Sequence, residues 1–280
     1  MILVIGATGN VGRHVLSQLH ATGAADVRAL VRPGKTAHRS DGVDVATGGL
    51  DDPDGLAAAL TGVETVFLVW PFLTTEGAPA VLEAIGQHAQ RLVYLSSIGV
   101  DGRPEDQVDP IFKLHADMGC LIETCGLPRT VLRSDTIASN TLGWAEQIRT
   151  TGVVRGPLTA ATAVIDPRDI AAVAARALAD DAHVGATHRL TGPQVISRPE
   201  QVQAIGAAIG RELRFEEVPV QEARAQMLAD GRPPALVDAL LSGAETRSAS
   251  TLVTSTVTDL TGQPPHSFQQ WARDHSDDFR

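Results

Sequence analysis

A chain of 280 residues carries 23 Lys and Arg against 33 Asp and Glu, a formal net charge of -10 at pH 7. That length buries a core as one large domain or as a core with a smaller companion, and the acidic balance excludes nucleic acid as a main partner, because phosphate-backbone binding relies on a basic surface. With no uninterrupted apolar run of ~18 residues and no basic start with a cleavable end, neither a membrane span nor a secretion signal is expected.

The first half alternates β-branched runs with helical patterns. "ILVI" at 2–5 reads as a strand, followed by a turn holding Gly6, Gly9 and Gly12 and a helix with Val11, Val15, Leu16 and Leu19 on one face. "VRALV" at 27–31 and a weaker "VDVA" at 43–46 follow, and then Asp52 caps a helix with Pro53 in its first turn. "TVFLVW" at 65–70, "RLVYLSS" at 91–97 and "RTVLRS" at 129–134 complete the series. The runs are apolar on both phases, as strands covered on each side must be, which predicts a parallel sheet with helices on both faces.

After Ser134 the pattern changes. "TTGVVRGPLTAATAV" at 150–164 reads as loop and short strand, Asp166 and Pro167 open a helix with Ile170, Val173, Ala174, Ala177 and Leu178 on one face, and "THRLTG" at 187–192 reads as a strand. The order then turns mostly helical. Ser197 and Glu200 form a capping box ahead of Val202, Ile205 and Ile209, with Gly210 as terminator. "VQEARAQMLADG", "PPALVDALL" and "SFQQWARDHSDDF" add three more helices. The expected fold is α/β: a Rossmann doubly wound parallel sheet over residues 1–134, rejoined by 164–191, with a smaller, mostly helical C-terminal substrate lobe from 135–163 and 192–280.

The glycine turn has the context of a dinucleotide site, with a strand before it and a helix after. A helix start leaves N–H groups unpaired and carries partial positive charge, so a pyrophosphate can dock there if no side chain blocks it. Gly6 permits the tight turn, Gly9 admits the phosphate, and Gly12 lets the helix pack closely; Ala7, Thr8, Asn10 and Val11 complete the cradle. The competing reading is a glycine-rich turn without a ligand. Arg32 ends the second strand, twenty positions after Gly12, where a chain selecting NAD would usually place an acid for the ribose hydroxyls. Arg32 and Lys35 suit a 2′-phosphate instead, which points to NADP(H); a solvated surface arginine is the alternative.

Cys120 and Cys125 lie five apart in one expected helix, too far for easy bridging at ~1.5 Å of rise per residue. Free thiols fit a reducing compartment, and the cytoplasm is the expected location. The nine histidines show no His-x-x-x-His spacing with carboxylate support and the cysteines lack a ligand pair, so no metal site is expected.

Several segments together, "GATGNVG", "LSSIGVDG", "CGLPRTVLRSDTIASN", "DPRDIAAVAARAL", "HRLTGPQVIS" and "GQPPHSFQQWARDH", resemble the NmrA-like atypical short-chain dehydrogenases, including the bacterial NADPH:quinone oxidoreductase type. The resemblance spans nearly the whole chain. It implies a Rossmann core, NADPH, and a C-terminal lobe closing a substrate cleft over the nicotinamide. The family holds both enzymes and nucleotide-sensing regulators. Two departures stand out: Gly49 where relatives commonly carry an aspartate near the adenine, and Ser134 where they carry proline.

Related short-chain dehydrogenases reduce ketones with a tyrosine acid and a lysine four residues later. Here the single tyrosine is Tyr94 and the only lysines are Lys35 and Lys113, so that pair is missing; lining up the relevant helix puts His115 at the lysine position and Ile111 at the tyrosine position. Hydride addition to a plain ketone builds a strongly basic alkoxide, for which a positioned acid is worth ~100-fold or more. Addition to a quinone yields a phenolate with a conjugate-acid pKa near ~10, which can draw its proton from water or a histidine. Ligands in open α/β sheets sit at the strand ends. That rule selects Val69, Trp70, Pro71 and Ser96 for the cofactor, Ser96 and Ser97 for chemistry, and Phe72 and Ile98 for the substrate, while the resemblance adds His115 to both the cofactor and the chemistry. The resemblance adds Phe112, Asn140 and Trp144 as cleft walls. For Ser96 and Ser97 the bland alternative is a turn cap, for His115 a packed helix histidine, and for the aromatics simple core.

These readings converge on an NADPH-dependent reductase of a small quinone or conjugated aromatic. At the bulky end that class includes a polycyclic aromatic polyketide quinone whose quinol passes to oxygen or a partner enzyme; a homodimer is also compatible. Two alternatives stay open: a non-catalytic NADP-binding redox sensor, and a ketone reductase with a relocated proton donor.

Overall fold

In the computed structural model the described residues are 1–24, 26–35, 42–244 and 249–280. The chain runs β1 (Ile2–Ile5), α1 (Gly12–Ala21), β2 (Val27–Val31), β3 (Val43–Thr47), α2 (Pro53–Leu60), β4 (Thr65–Leu68), α3 (Ala78–His88), β5 (Arg91–Ser97), α4 (Pro110–Thr124) and β6 (Arg129–Ser134). There follow α5 (Ala145–Thr151), β7 (Val153–Gly156), α6 (Pro167–Ala179) and β8 (Thr187–Leu190). The remainder is α7 (Arg198–Ile209), β9 (Arg214–Glu217), α8 (Val220–Ala229), α9 (Pro234–Leu241), α10 (Thr256–Thr261), α11 (Phe268–Asp274) and α12 (Ser276–Phe279).

Seven strands form one parallel sheet in the order β3-β2-β1-β4-β5-β6-β8. β1 pairs on both sides, Ile5 lying between Leu30 of β2 and Leu68 of β4. The connections run in opposite directions from that point, so the strand order reverses there and opens a crevice beyond the carboxyl ends of β1 and β4. Val4, Phe67, Val93 and Leu132 point to the face covered by α1 and α6, while Leu3, Leu68, Leu92 and Tyr94 point to the face covered by α2, α3 and α4. The weak sequence signal of "VDVA" has its cause in this order: β3 is an edge strand with exposed side chains.

Asp52, Asp166 and Ser197 cap α2, α6 and α7 as their side chains accept backbone N–H groups, and Gly210 ends α7 in the left-handed region at φ 69°. Ile148, Val154, Ile205, Phe268, Trp271 and Phe279 form the core of the C-terminal part.

Several features depart from the sequence reading, α5 among them, which overlaps a stretch read as loop at Thr150 and Thr151. "RFEE" forms β9, which pairs in parallel with β7; its charged, largely exposed residues carry no apolar alternation, and only the backbone pairing defines it. The short, threonine-rich α10 was not expected, and it brings Val257 back onto the core under α1 and α6. The tail expected as one helix breaks at His275 into α11 and α12. Cys125 follows α4 as its C-cap, and both cysteines are free.

Candidate cofactor and substrate site

The glycine turn lies at the crevice. Gly6 has φ +84°, and Gly9 N–H closes the turn on the Gly6 carbonyl at 2.9 Å. A Cβ on Gly12 would collide with the Gly6 carbonyl oxygen, whereas one on Gly9 would meet nothing but that oxygen, at 3.1 Å. Gly12 is thus needed for helix-on-turn packing, and the space before Gly9 is open. Ala7 and Val11 are buried and anchor the loop, while Thr8, Gly9 and Asn10 are exposed. α1 opens with Arg13 N–H on Gly9 O and His14 N–H on Val11 O; the N–H groups of Asn10, Val11 and Gly12 take no backbone partner among the described residues. This is a cradle that fits a diphosphate. Arg32 and Lys35 are exposed and stand at the two ends of one turn, closed by Lys35 N–H on Arg32 O at 3.1 Å. The turn gathers two cations just past β2, an arrangement that fits a 2′-phosphate.

At the end of β4, Val69 is half-buried with its Cβ 3.0 Å from the position a Gly6 side chain would take, so it backs the glycine turn. Trp70 is buried, its indole N–H donates to Thr74 O at 2.8 Å, and its ring meets Phe72 edge-on at 5.1 Å. The Trp70 ring belongs to the core; Pro71 and Phe72 are exposed beside it.

The period of two along β5 separates the serines. Ser96 shares the face of Tyr94 and α4, and Ser97 lies on the other. Ser96 is buried, whereas Ser97 Oγ accepts Gly99 N–H at 3.4 Å in the turn that leaves the strand. Ile98 and Phe112 are half-buried, and the Phe112 ring lies where a side chain on Gly99 would have to go, which pins the loop after β5 against α4. Asp109 holds the start of α4 by accepting Ile111 and Phe112 N–H groups.

His115 lies one helical turn beyond Ile111, its Nδ1 2.7 Å from the Tyr94 hydroxyl. Tyr94 is fully buried. Burial pushes the His115 pKa down to about 4 and raises that of Tyr94 above its ordinary range. The imidazole is therefore neutral at pH 7 and the phenol is protonated. The sequence reading passed over Tyr94 because it lies outside a Tyr-x-x-x-Lys pair; its contact joins a strand to a helix 21 residues away.

Asn140 and Trp144 occupy a 3-10 segment, Ala138–Trp144, that follows β6. They line a cavity in the C-terminal part with Arg155, Arg198, Phe215 and Arg232. Phe72, Ile98 and Phe112 do not line it, so the five expected substrate residues fall into two groups. Nothing in the sequence pattern marked the arginines, because they come from β7, the start of α7 and the turn after α8, which only the tertiary fold brings together. Among the described residues no three His, Cys, Asp or Glu side chains gather as a metal would need, and no helix is long and apolar enough to cross a membrane.

Sheet order, crevice and glycine turn define a Rossmann-type α/β protein with an added C-terminal lobe. Its residues 1–247 match the NmrA-like family, to which the chain belongs. It is 38% identical to a (4-alkanoyl-5-oxo-2,5-dihydrofuran-3-yl)methyl phosphate reductase of Streptomyces griseus subsp. griseus, covering 100% of this chain and 99% of that one. It is 32% identical, over 100% and 99% of the two chains, to an NAD(P)H azoreductase of Xenophilus azovorans. The fold is shared with an NADPH-dependent quinone oxidoreductase from Escherichia coli, at a TM-score of 0.81 and 23% identity over 98% and 99% of the chains.

Proposed function

We propose that this protein is an NADPH-dependent reductase of conjugated acceptors, quinones first among them. The observation that carries the reading is the placement of the two candidate acids: Tyr94 is sealed in the core with its hydroxyl 2.7 Å from His115 Nδ1, and burial lowers the His115 pKa. Such a site favours acceptors whose reduced form is a stabilised anion that water can protonate. NADPH, when bound, supplies the hydride. The N–H groups of the glycine turn hold its diphosphate, Arg32 and Lys35 hold its 2′-phosphate, and the ends of β4 and β5 orient the ring against the acceptor. Ser96 and the His115 N–H then donate hydrogen bonds to the acceptor oxygen. The bulky end of this class is a polycyclic aromatic polyketide quinone. A cytoplasmic location accords with the free thiols.

The 38% identical relative favours a second acceptor of the same electronic kind. A dihydrofuranone whose ring double bond is conjugated to a ring carbonyl and an alkanoyl group also gives a delocalised anion on hydride addition. Its phosphate arm would meet Arg198 and Arg232 in the cavity behind Asn140 and Trp144, which Glu222 and Asp230 also line and where Arg155 is paired with Glu216 and Glu222.

The test follows NADPH absorbance with the purified chain against monocyclic and polycyclic quinones, azo dyes, acylated unsaturated lactones with and without phosphate, and plain ketones. Saturable turnover of conjugated acceptors with ketones inert is expected. Equal turnover of plain ketones would show a relocated acid and overturn the reading; tight dinucleotide binding with no turnover would establish a redox sensor.

A further inference from the structure

The Tyr94–His115 contact decides which imidazole nitrogen carries the proton. Two arrangements satisfy the 2.7 Å distance: the phenol donates to Nδ1, or Nδ1–H donates to the phenol oxygen. The second leaves the phenol proton without an acceptor, since Tyr94 makes no other side-chain hydrogen bond among the described residues and is 0% exposed. An unsatisfied buried donor of this kind holds its tautomer to roughly one part in ten to one in a hundred. The first satisfies both groups and puts the remaining proton on Nε2.

Among the described residues, Nε2 is not one of the buried side-chain atoms that lack a hydrogen-bond partner. It makes no hydrogen bond among the described residues either, so it keeps a small contact with solvent. Ser96 follows Tyr94 by two positions on the same face of β5, toward the crevice, and its Oγ shares both properties.

We infer that Tyr94 is a positioning residue, which locks His115 as the Nε2–H tautomer so that the ring presents one N–H donor to the acceptor oxygen beside Ser96. The inference rests on the reductase reading for what that donor serves, but not for the lock itself. The lowered His115 pKa agrees with it, because a neutral ring must have one bare nitrogen. Tyr94 itself never gives up its proton, and the proton that completes the reduction comes from solvent. Neutral histidine used as a hydrogen-bonding electrophile has precedent in other enzymes.

The test is nitrogen-15 NMR of the resting, full-length protein with labelled imidazoles, followed by the same spectrum and steady-state kinetics on Tyr94→Phe. A single His115 form with Nε2 protonated and Nδ1 accepting is expected. In Tyr94→Phe both tautomers should exchange, and kcat should fall about 5- to 10-fold, the worth of one orienting hydrogen bond, with KM for NADPH unchanged. Nδ1–H in the native protein overturns the inference, as does a Tyr94→Phe variant with native kcat and an unaltered His115 spectrum. If the variant does not fold, the native spectrum alone decides. Because that spectrum needs no turnover, a locked Nε2–H form in a protein that oxidises no NADPH would sink the reductase reading while upholding the role of Tyr94.

Discussion

Gly12 sits in a place where no other residue fits. Its missing side chain is what allows α1 to rest on the Gly6 carbonyl, so Gly12→Ala must push the helix start away from the turn. The expected result is a rise of at least ~10-fold in NADPH Kd by calorimetry, together with a lower Tm, since overpacking a rigid backbone contact commonly costs about 1–3 kcal/mol. Arg32 acts on a different part of the ligand. Arg32→Ala should weaken NADPH by about 10- to 100-fold, the range of a lost charge-assisted hydrogen bond, and leave NADH nearly unchanged; equal loss for both dinucleotides would show that Arg32 does not read the 2′-phosphate. Both residues could be proposed from the sequence because the roles proposed for them depend on chain neighbours, a strand before and a helix or turn after. Tyr94 could not, because its partner comes from another element.

At the scale of elements, the first turn of α6 ties the two parts of the chain together. Buried Asp166 accepts Arg168 N–H at 2.8 Å as the N-cap, and the Arg168 guanidinium pairs with Asp166 at 2.6 Å and with Asp274, at the end of α11, at 2.8 Å. One residue on, Asp169 accepts the His266 backbone N–H at 2.8 Å and meets the His266 ring nitrogen at 2.6 Å, just ahead of α11. α11 is therefore pinned at both ends to one helical turn. Asp166→Ala removes the cap and leaves Arg168 with a single carboxylate, so urea unfolding should show a loss of about 2 kcal/mol, at the upper end for a cap, with the largest loosening at α11 by hydrogen exchange. The capping role could be read from "DPRD", whereas the arginine bridge to α11 could not: the sequence gives no measure of how α11 approaches. β9 was missed for a related reason, as its exposed, charged residues owe their strand geometry to β7 rather than to their own pattern.

For the molecule as a whole, two half-buried histidines set a response to acid. His14 and His115 both have pKa values lowered to about 4, by burial in each case and at His14 also by the neighbouring Arg13 guanidinium. Between pH 6.5 and 4 the unfolded chain binds protons on these rings that the folded protein does not. Stability therefore rises with pH in that window and is lost as pH falls through it. Tm measured across the window should drop on acidification, and the His14→Gln, His115→Gln double variant should show a shallower slope; an unchanged slope would assign the acid response to other groups.

What the sequence determined by itself was the order of layers and the glycine turn between β1 and α1, since apolar periodicity, caps and glycine spacing act over a few residues and are written in neighbours. Only the tertiary structure decided that Ser96 rather than Ser97 shares the face of His115, that Tyr94 holds that imidazole, and that Asn140 and Trp144 look onto arginines of the C-terminal part. Those facts arise from the packing of elements far apart in the chain, where side-chain direction and burial, not local spacing, fix which groups meet.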